Sequence, residues 1–265
     1  MNRLILLCIC VAACRHPQAT YPAIAAPCTD ARVGNVIVVG GTRDDVPQLA
    51  VLAGTLDNTE RTERIAGVSA QALRDRGFPR AEVRVTRQQG CGVELVVTVD
   101  KGPKFRIGSI EFATRDEFPA SSRLAALEDA LGTINSVGGA YVADRLTRAL
   151  EQLTRRYHEL GWLHAEIDAP KATFDDTTGR VHLTIAVRAG QRFRIGNVIA
   201  RGGRRGTRAA VIEALGLRGG QWYDANRLRE GLVRARREVD DRLEMRMQVE
   251  SDRIDLEAIV GGGAK

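Results

Sequence analysis

Histidine is the side chain that most often transfers protons near neutral pH, and this sequence contains four. His16 lies near the N terminus, His158 falls within a predicted helix, and His164 and His182 alternate outward on predicted strands. The sequence contains neither G-x-S-x-G nor H-E-x-x-H, and no glycine-rich loop is placed to hold a cofactor. We therefore predict that the protein is not an enzyme and that it has no cofactor and no metal site.

The cysteine with the most distinctive surroundings is Cys14, which ends the motif Val-Ala-Ala-Cys. It follows one positive charge and an apolar run, Leu4–Ala13, of the length found in secretory signals. The motif resembles the bacterial lipobox, in which small residues fit the signal peptidase and the thiol receives the lipid. We predict a signal peptide over 1–13, lipid on Cys14 and a tether over 14–31. The alternative is an ordinary cleaved signal, with Ala23-Ile24-Ala25 as the cleavage site.

The other four cysteines are consistent with an exported protein that contains a disulfide. Cys8 and Cys10 leave with the signal peptide, so Cys28 and Cys91 remain. Two cysteines in an oxidising compartment favour a disulfide, which we predict, and two unpaired thiols are the alternative. Arg15 follows Cys14 where, by analogy with enteric bacteria, Asp would indicate retention at the inner membrane. We therefore expect a protein at the outer membrane that faces the periplasm.

Composition narrows the class of protein further. The chain has 265 residues, of which 44% are hydrophobic and 27% charged, which is ordinary for globular domains. The longest apolar run has ten residues, too few to span a bilayer as a helix. The net charge of +6 permits an anionic partner, but the export signal and the 33 interspersed acidic residues argue against nucleic acid.

The chain repeats itself. Gly102–Ile110 recurs as Gly190–Val198 at an offset of 88, and a weaker copy is present at Arg32–Val36. Leu73–Val83 matches Tyr157–Ile167 in the same way. Self-similarity at this period indicates repeated structural units. The predicted segments are unit one over 32–101, unit two over 102–189, unit three over 190–260 and a flexible tail over 261–265.

Each repeat carries the same sequence of periodicities. A short strand opens it, a short helix and a longer helix follow, and two strands with apolar residues at every second position close it. The best helical stripe is formed by Leu146, Leu150, Leu153 and Tyr157. We predict an α+β fold of three tandem β-α-α-β-β units. Each unit is expected to have a three-stranded mixed sheet, in the order first-third-second strand, with two helices on one face.

These units resemble the POTRA (polypeptide-transport-associated) family. The resemblance rests on the strand Phe105–Ile110, on Gly139-Ala-Tyr141 before the long helix and on Tyr157–Trp162 at its end. In the third unit, Val239–Leu243 replaces the glycine–aromatic turn. The resemblance implies the periplasmic arm of an outer-membrane barrel-assembly protein. Since the last predicted strand ends near Val260, we expect an arm without the barrel, carried by a lipid anchor.

The resemblance also implies where polypeptides bind. The second strand of each unit is expected at a sheet edge, where unpaired N–H and C=O groups accept an added strand. The candidate edges are Arg80–Thr86, Leu163–Ala169 and Leu243–Val249. In the middle edge the candidate binding residues are Leu163, Ala165, Ile167 and Ala169. The alternative is that all three edges are only solvated, guarded by Arg84, Glu166 and Arg246.

A second candidate surface is a basic loop that we predict before the short helix of unit three. Its contact residues would be Arg201, Arg204, Arg205 and Arg208, which suit anionic lipid headgroups or an acidic partner. A solvated loop is the alternative. We expect assistance in assembly or insertion of outer-membrane proteins, with a barrel-assembly protein, unfolded barrel clients or both as partners and no small-molecule substrate. The alternative is a structural adaptor in another envelope complex, of the divisome or of a secretion system.

Overall fold

A computed structural model describes residues 32–89, 92–114, 116–132 and 136–261. The predicted signal peptide and tether lie outside these residues, as do Cys14, Cys28, Cys91 and residues 262–265 of the tail. The lipid anchor and the disulfide therefore remain predictions.

The first unit forms around a three-stranded sheet. Its elements, in chain order, are β1 (Val33–Val39), a short 3-10 helix (Arg43–Asp45), α1 (Pro47–Ala50), α2 (Thr59–Asp75), β2 (Glu82–Gln89) and β3 (Val93–Asp100). The strand order is β1-β3-β2, with β1 parallel and β2 antiparallel to the central strand β3. This is the predicted order, and it places the second strand at an edge.

The middle unit differs in its second strand. Its elements are β4 (Arg106–Ala113), α3 (Ala120–Leu131), α4 (Ala143–Glu159), β5 (Glu166–Ile167), β6 (Lys171–Asp175) and β7 (Arg180–Arg188). Both β5 and β6 pair antiparallel with β7, so the sheet has four strands. The predicted edge strand Leu163–Ala169 contains only β5, and β6 was not predicted. The break between β5 and β6 includes Pro170, which has no backbone N–H to donate to a neighbouring strand.

The third unit has a three-stranded sheet like that of the first unit. Its elements are β8 (Arg194–Arg201), α5 (Arg205–Leu215), α6 (Ala225–Glu238), β9 (Glu244–Glu250) and β10 (Arg253–Ile259). The strand order is β8-β10-β9, again with one parallel and one antiparallel pair. The prediction of an α+β fold with three mixed sheets is thereby confirmed.

Period-two alternation explains how each sheet buries one face. On the three central strands, every second side chain is buried against the helices and the intervening ones are more exposed. The buried residues are Leu95, Val97, Val99, Val181, Leu183, Ile185, Val187, Ile254, Leu256 and Ala258. Each core therefore lies between one sheet and its own helices.

The same backbone contact joins successive units. Gly77 and Gly161 each follow a long helix with positive φ, +95° and +100°, a conformation that favours glycine. The carbonyl of Gly77 accepts a hydrogen bond from Phe105 N–H at 2.9 Å, and the carbonyl of Gly161 accepts one from Phe193 N–H at 2.8 Å. In the third unit the residue in the corresponding position of the turn is Val239, with φ −125°.

Candidate functional site

The three candidate edges differ in how far their own unit covers them. In unit one, Val83 and Val85 of β2 pack against the core. Further along the strand, Arg87 forms an ion pair with Asp57, with 3.4 Å between Nε and Oδ2, and both side chains are largely buried. The side chains on the helix-facing side of β2 are therefore already covered by their own unit.

The middle edge is the least continuous, which corrects our prediction that Leu163–Ala169 forms one strand. Of the four candidate residues only Ile167 lies in a strand. Ala165 is 3% exposed, and Leu163 packs against the core of the third unit. Ala169 is exposed but lies in the break between β5 and β6. The joint to unit three and the break therefore leave only Glu166–Ile167 of the segment that alternation alone predicted as one strand.

The third edge is open. β9 runs from Glu244 to Glu250, and every residue except Met245 is exposed. Met247 is opposite Leu256, and Val249 is opposite Ile254. Because opposite residues in an antiparallel pair share a face, Met247 and Val249 face the helices.

The helices nevertheless leave these two side chains uncovered. Met247 is 57% exposed and Val249 51%, although their cross-strand partners are almost fully buried. On this face the hydroxyl of Tyr223 lies 3.7 Å from Sδ of Met247. An uninterrupted edge strand with apolar side chains beside it is the geometry that accepts an added strand. An incoming strand would place alternate side chains beside Met247 and Val249.

We predicted that the basic segment of unit three is a loop, but only residues 202–204 lie outside the strand and the helix. Arg201 ends β8 and pairs with Glu257, Arg204 is the N-cap of α5, and Arg205 and Arg208 lie in the first turns of that helix. The helix begins earlier than the apolar stripe suggested. The side chains still lie within one short stretch, but Arg201 is already neutralised by a carboxylate.

An arginine–tryptophan stack lies at the joint between units two and three. The guanidinium of Arg192 lies 4.6 Å from the ring centroid of Trp162 and 5.0 Å from that of Trp222. Arg194 covers Trp222 at 3.7 Å, and Arg192 Nε donates to the carbonyl of Leu160 at 2.8 Å. Burial lowers the pKa of Arg192 from its usual value. We assign the two tryptophans to the joint.

A buried polar cluster in unit two was not found by sequence reasoning. The Asp116 carboxylate accepts hydrogen bonds from Arg123 Nη1, from Tyr157 Oη at 3.0 Å and from Phe118 N–H at 3.0 Å. Burial raises the pKa of Tyr157. A tyrosine in an apolar helical stripe needs a partner for its hydroxyl, and this was the available signal. The cluster fixes the chain between β4 and α3.

Two further observations concern the described part of the chain. None of its helices combines the length and apolarity needed to cross a membrane. Its histidines, aspartates and glutamates form no group of three or more arranged to hold a metal ion.

Three of the solved structures that are similar to this chain contain BamA, Omp85 and CdiB. The POTRA3–5 segment of BamA from Haemophilus influenzae is 16% identical, over 87% of this chain and 96% of that one, with a TM-score of 0.45. POTRA1–3 of Omp85 from Anabaena is 15% identical, over 86% and 94%, with a TM-score of 0.41. CdiB from Escherichia coli is 14% identical, over 77% of this chain and 35% of its own, with a TM-score of 0.32.

At the level of sequence, a comparison with curated proteins found no match. The family comparison found one: residues 105–190, which include every element of the middle unit, match POTRA, described as a surface antigen variable number repeat.

Proposed function

We propose that this protein assists the assembly or insertion of outer-membrane proteins by binding polypeptide segments along β9. The observation that carries the proposal is the open edge at Glu244–Glu250, with Met247 and Val249 uncovered on its helix-facing side. Main-chain hydrogen bonds in such a complex give affinity with little sequence preference, which suits many unfolded clients. In this proposal the protein does no catalysis, and its three units at 32–101, 102–189 and 190–260 form one arm.

The match of residues 105–190 to the POTRA model supports this proposal. Lipid on Cys14 would attach the arm to the outer membrane, facing the periplasm. Its partners would be a barrel-assembly protein, unfolded barrel clients or both. The basic stretch Arg201–Arg208 would be a secondary contact for anionic headgroups or for an acidic partner. Arg204, Arg205 and Arg208 are the residues available for this contact.

One set of observations favours the alternative, a structural adaptor. Both joints are closed by the same glycine–phenylalanine hydrogen bond. The first joint adds an ion pair between Arg80 and Asp176, 2.8 Å apart. Repeated tight joints suit a stalk that holds two envelope components at a fixed distance, without handling unfolded chains.

Crosslinking in cells tests the proposal against this alternative. A photoreactive amino acid replaces Met247 or Val249 in separate variants, and the captured proteins are identified by mass spectrometry. The matched control is Val233, which is 61% exposed on α6 of the same unit. We expect a barrel-assembly protein or many unfolded barrels at the two β9 positions and not at Val233. One dominant folded partner from another envelope machine would favour the adaptor, and equal capture at Val233 would contradict the assignment of the edge.

A further inference from the structure

The exposed strand β9 is complementary to itself. Its sequence is Glu244-Met-Arg-Met-Gln-Val-Glu250, with acidic residues at both ends and one arginine between them. Apolar side chains at 245, 247 and 249 share the helix-facing side, and the charged and amide side chains share the other. We infer that β9 pairs antiparallel with β9 of a second copy of this chain, which joins two three-stranded sheets into one of six strands.

Two-fold symmetry limits the possible registers. In an isologous antiparallel pair that keeps the helices of both copies on one side, residues of the same face oppose each other. Within Glu244–Glu250, three such registers pair five or more residues. The seven-residue register opposes Glu244 to Glu250 of the second copy at both ends. One five-residue register opposes Arg246 to Arg246 at its centre. Like charges directly opposite one another are destabilising, so both are disfavoured.

The third register contains no like-charge pair. It spans Arg246–Glu250 and centres on Gln248, which is opposite Gln248 of the second copy. Met247 is opposite Val249 twice, and Arg246 is opposite Glu250 twice. The two apolar pairs would cover side chains that are 57% and 51% exposed in the single chain. In the single chain Glu250 Oε1 accepts a hydrogen bond from Gln248 Nε2 at 2.8 Å, an exposed contact that pairing would rearrange.

The other edges lack this combination of charge complementarity and uncovered apolar side chains. In β2, every same-face register of five or more residues opposes Arg84 or Arg87 to its own copy, or Arg87 to Val83 or Val85.

The middle edge has one five-residue strand, Lys171–Asp175, which could oppose Lys171 to Asp175 without like charges. Its apolar residues Ala172 and Phe174, however, pack against the core of unit two. Among the second strands of the three units, only β9 combines a register free of like charges with uncovered apolar side chains, and the pairing occupies the same edge as a client would.

Charge exchange gives a direct test. Arg246→Glu places Glu opposite Glu250, and Glu250→Arg places Arg opposite Arg246, so each variant alone would meet like charges in this register. A mixture of the two variants restores two opposite-charge pairs, because each chain supplies the charge that the other needs. Sedimentation velocity of the purified full chain in mild detergent reports the association. A single strand–strand interface is small, so we expect the wild type to dimerise at about 10 to 100 µM.

We expect Arg246→Glu to dimerise at least about tenfold more weakly than the wild type and to recover wild-type association when mixed with an equal amount of Glu250→Arg. Glu250→Arg alone should still associate, because it converts the Glu244–Glu250 pairs of the seven-residue register into opposite-charge pairs, so a fluorescent label on Arg246→Glu reports that variant by itself in the mixture. Circular dichroism checks that both exposed substitutions leave the fold intact. A wild type that stays monomeric up to 1 mM, or Arg246→Glu that is no more associated in the mixture than alone, would overturn the inference. These measurements need no client, so they test self-pairing separately from the proposed function. The protein could prove monomeric while crosslinking at Met247 still captures polypeptides, or it could dimerise while crosslinking captures none.

Discussion

The backbone N–H of Phe193 donates a hydrogen bond to the carbonyl of Gly161, 2.8 Å away, across the boundary between units two and three. Phe105 and Gly77 make the same bond at 2.9 Å between units one and two. Each bond connects the turn after a long helix to the residue that precedes the next unit's first strand. The repeat in the sequence is thus also a repeat of the joint between units.

Gly161→Ala should loosen the second joint. The residue has φ +100°, and a Cβ there would lie 2.9 Å from the carbonyl oxygen of Tyr223 in the next unit. The matched control is Gly138→Ala, which has φ +88° and no atom within 4 Å of the added Cβ. We expect Gly138→Ala to lower the free energy of unfolding by about 1 kcal/mol and Gly161→Ala by about 2 to 3 kcal/mol. Urea denaturation measures both, and equal losses would show that the close approach to Tyr223 is unimportant.

Arg192→Ala should change the fluorescence of the protein. Both tryptophans of the chain, Trp162 and Trp222, lie against this guanidinium. Its removal uncovers the buried indole of Trp162, so we expect a red-shifted emission and a wider distribution of inter-unit distances in X-ray scattering. The control is Arg84→Ala, because the Arg84 side chain is exposed on β2 of unit one. It should change neither the emission nor the inter-unit distances. An unchanged spectrum for Arg192→Ala would contradict the stacked joint.

Removal of one partner from the buried polar cluster of unit two should lower the free energy of unfolding. Arg123→Met leaves the Asp116 carboxylate buried without its cation, and we expect a loss of about 3 to 5 kcal/mol in the free energy of unfolding. Asp116→Asn combined with Arg123→Met removes both charges and should lose less than the single change. A double variant less stable than Arg123→Met would show that the ion pair contributes little. Urea denaturation of all three proteins provides the comparison.

Acid should destabilise unit one through Asp45. Its side chain is buried and bonds to Lys101 Nζ at 2.8 Å and to Thr42 N–H at 2.9 Å. Burial alone would raise the pKa of Asp45, but these bonds outweigh it and lower the pKa to about 2. The folded state therefore holds this proton less readily than the unfolded chain, whose carboxyl has an ordinary pKa near 3.8. The contribution is present above pH 4 and is lost as the pH falls towards 2.

We expect this contribution to be about 1 to 2 kcal/mol, since Lys101 and Arg76 are partly exposed and screened. Asp45→Asn should be less stable than the wild type at pH 7, and the difference should shrink between pH 4 and pH 2. Denaturation midpoints of the two proteins across this range measure it. A difference that is constant with pH would refute the assignment to Asp45.

Alternating and helical periodicities predicted the helices and most of the strands, and the tight turn between the last two strands of each unit predicted that the second strand lies at an edge. Local pattern was sufficient there, because each element buries one face against its own unit. Local pattern was insufficient where contacts with other elements or with the next unit determine which side chains are buried. Ala165 and Leu163 continue the alternation of β5, yet the first is buried and the second packs on unit three. Arg123 is buried on α3 only because Asp116 and Tyr157 meet it there.

The candidate site shows the same limit. Sequence placed Leu243–Val249 among three possible edges but assigned candidate binding residues only to the middle one, Leu163–Ala169. What distinguishes β9 is the extent to which the helices cover each edge, as the exposure of Met247 beside the packed Val85 shows. This depends on where α2 and α6 lie over their sheets, which no residue of the strands themselves determines.

Hydrogen–deuterium exchange with a bound peptide tests the central claim most directly. The peptide is an extended segment of alternating apolar and polar residues, added to the full chain at a concentration where the protein sediments as a monomer. The account predicts that added protection is concentrated in Glu244–Glu250, where new main-chain hydrogen bonds would form. Protection confined to β2 or to Arg201–Arg208, or none at a peptide concentration that saturates binding, would contradict it.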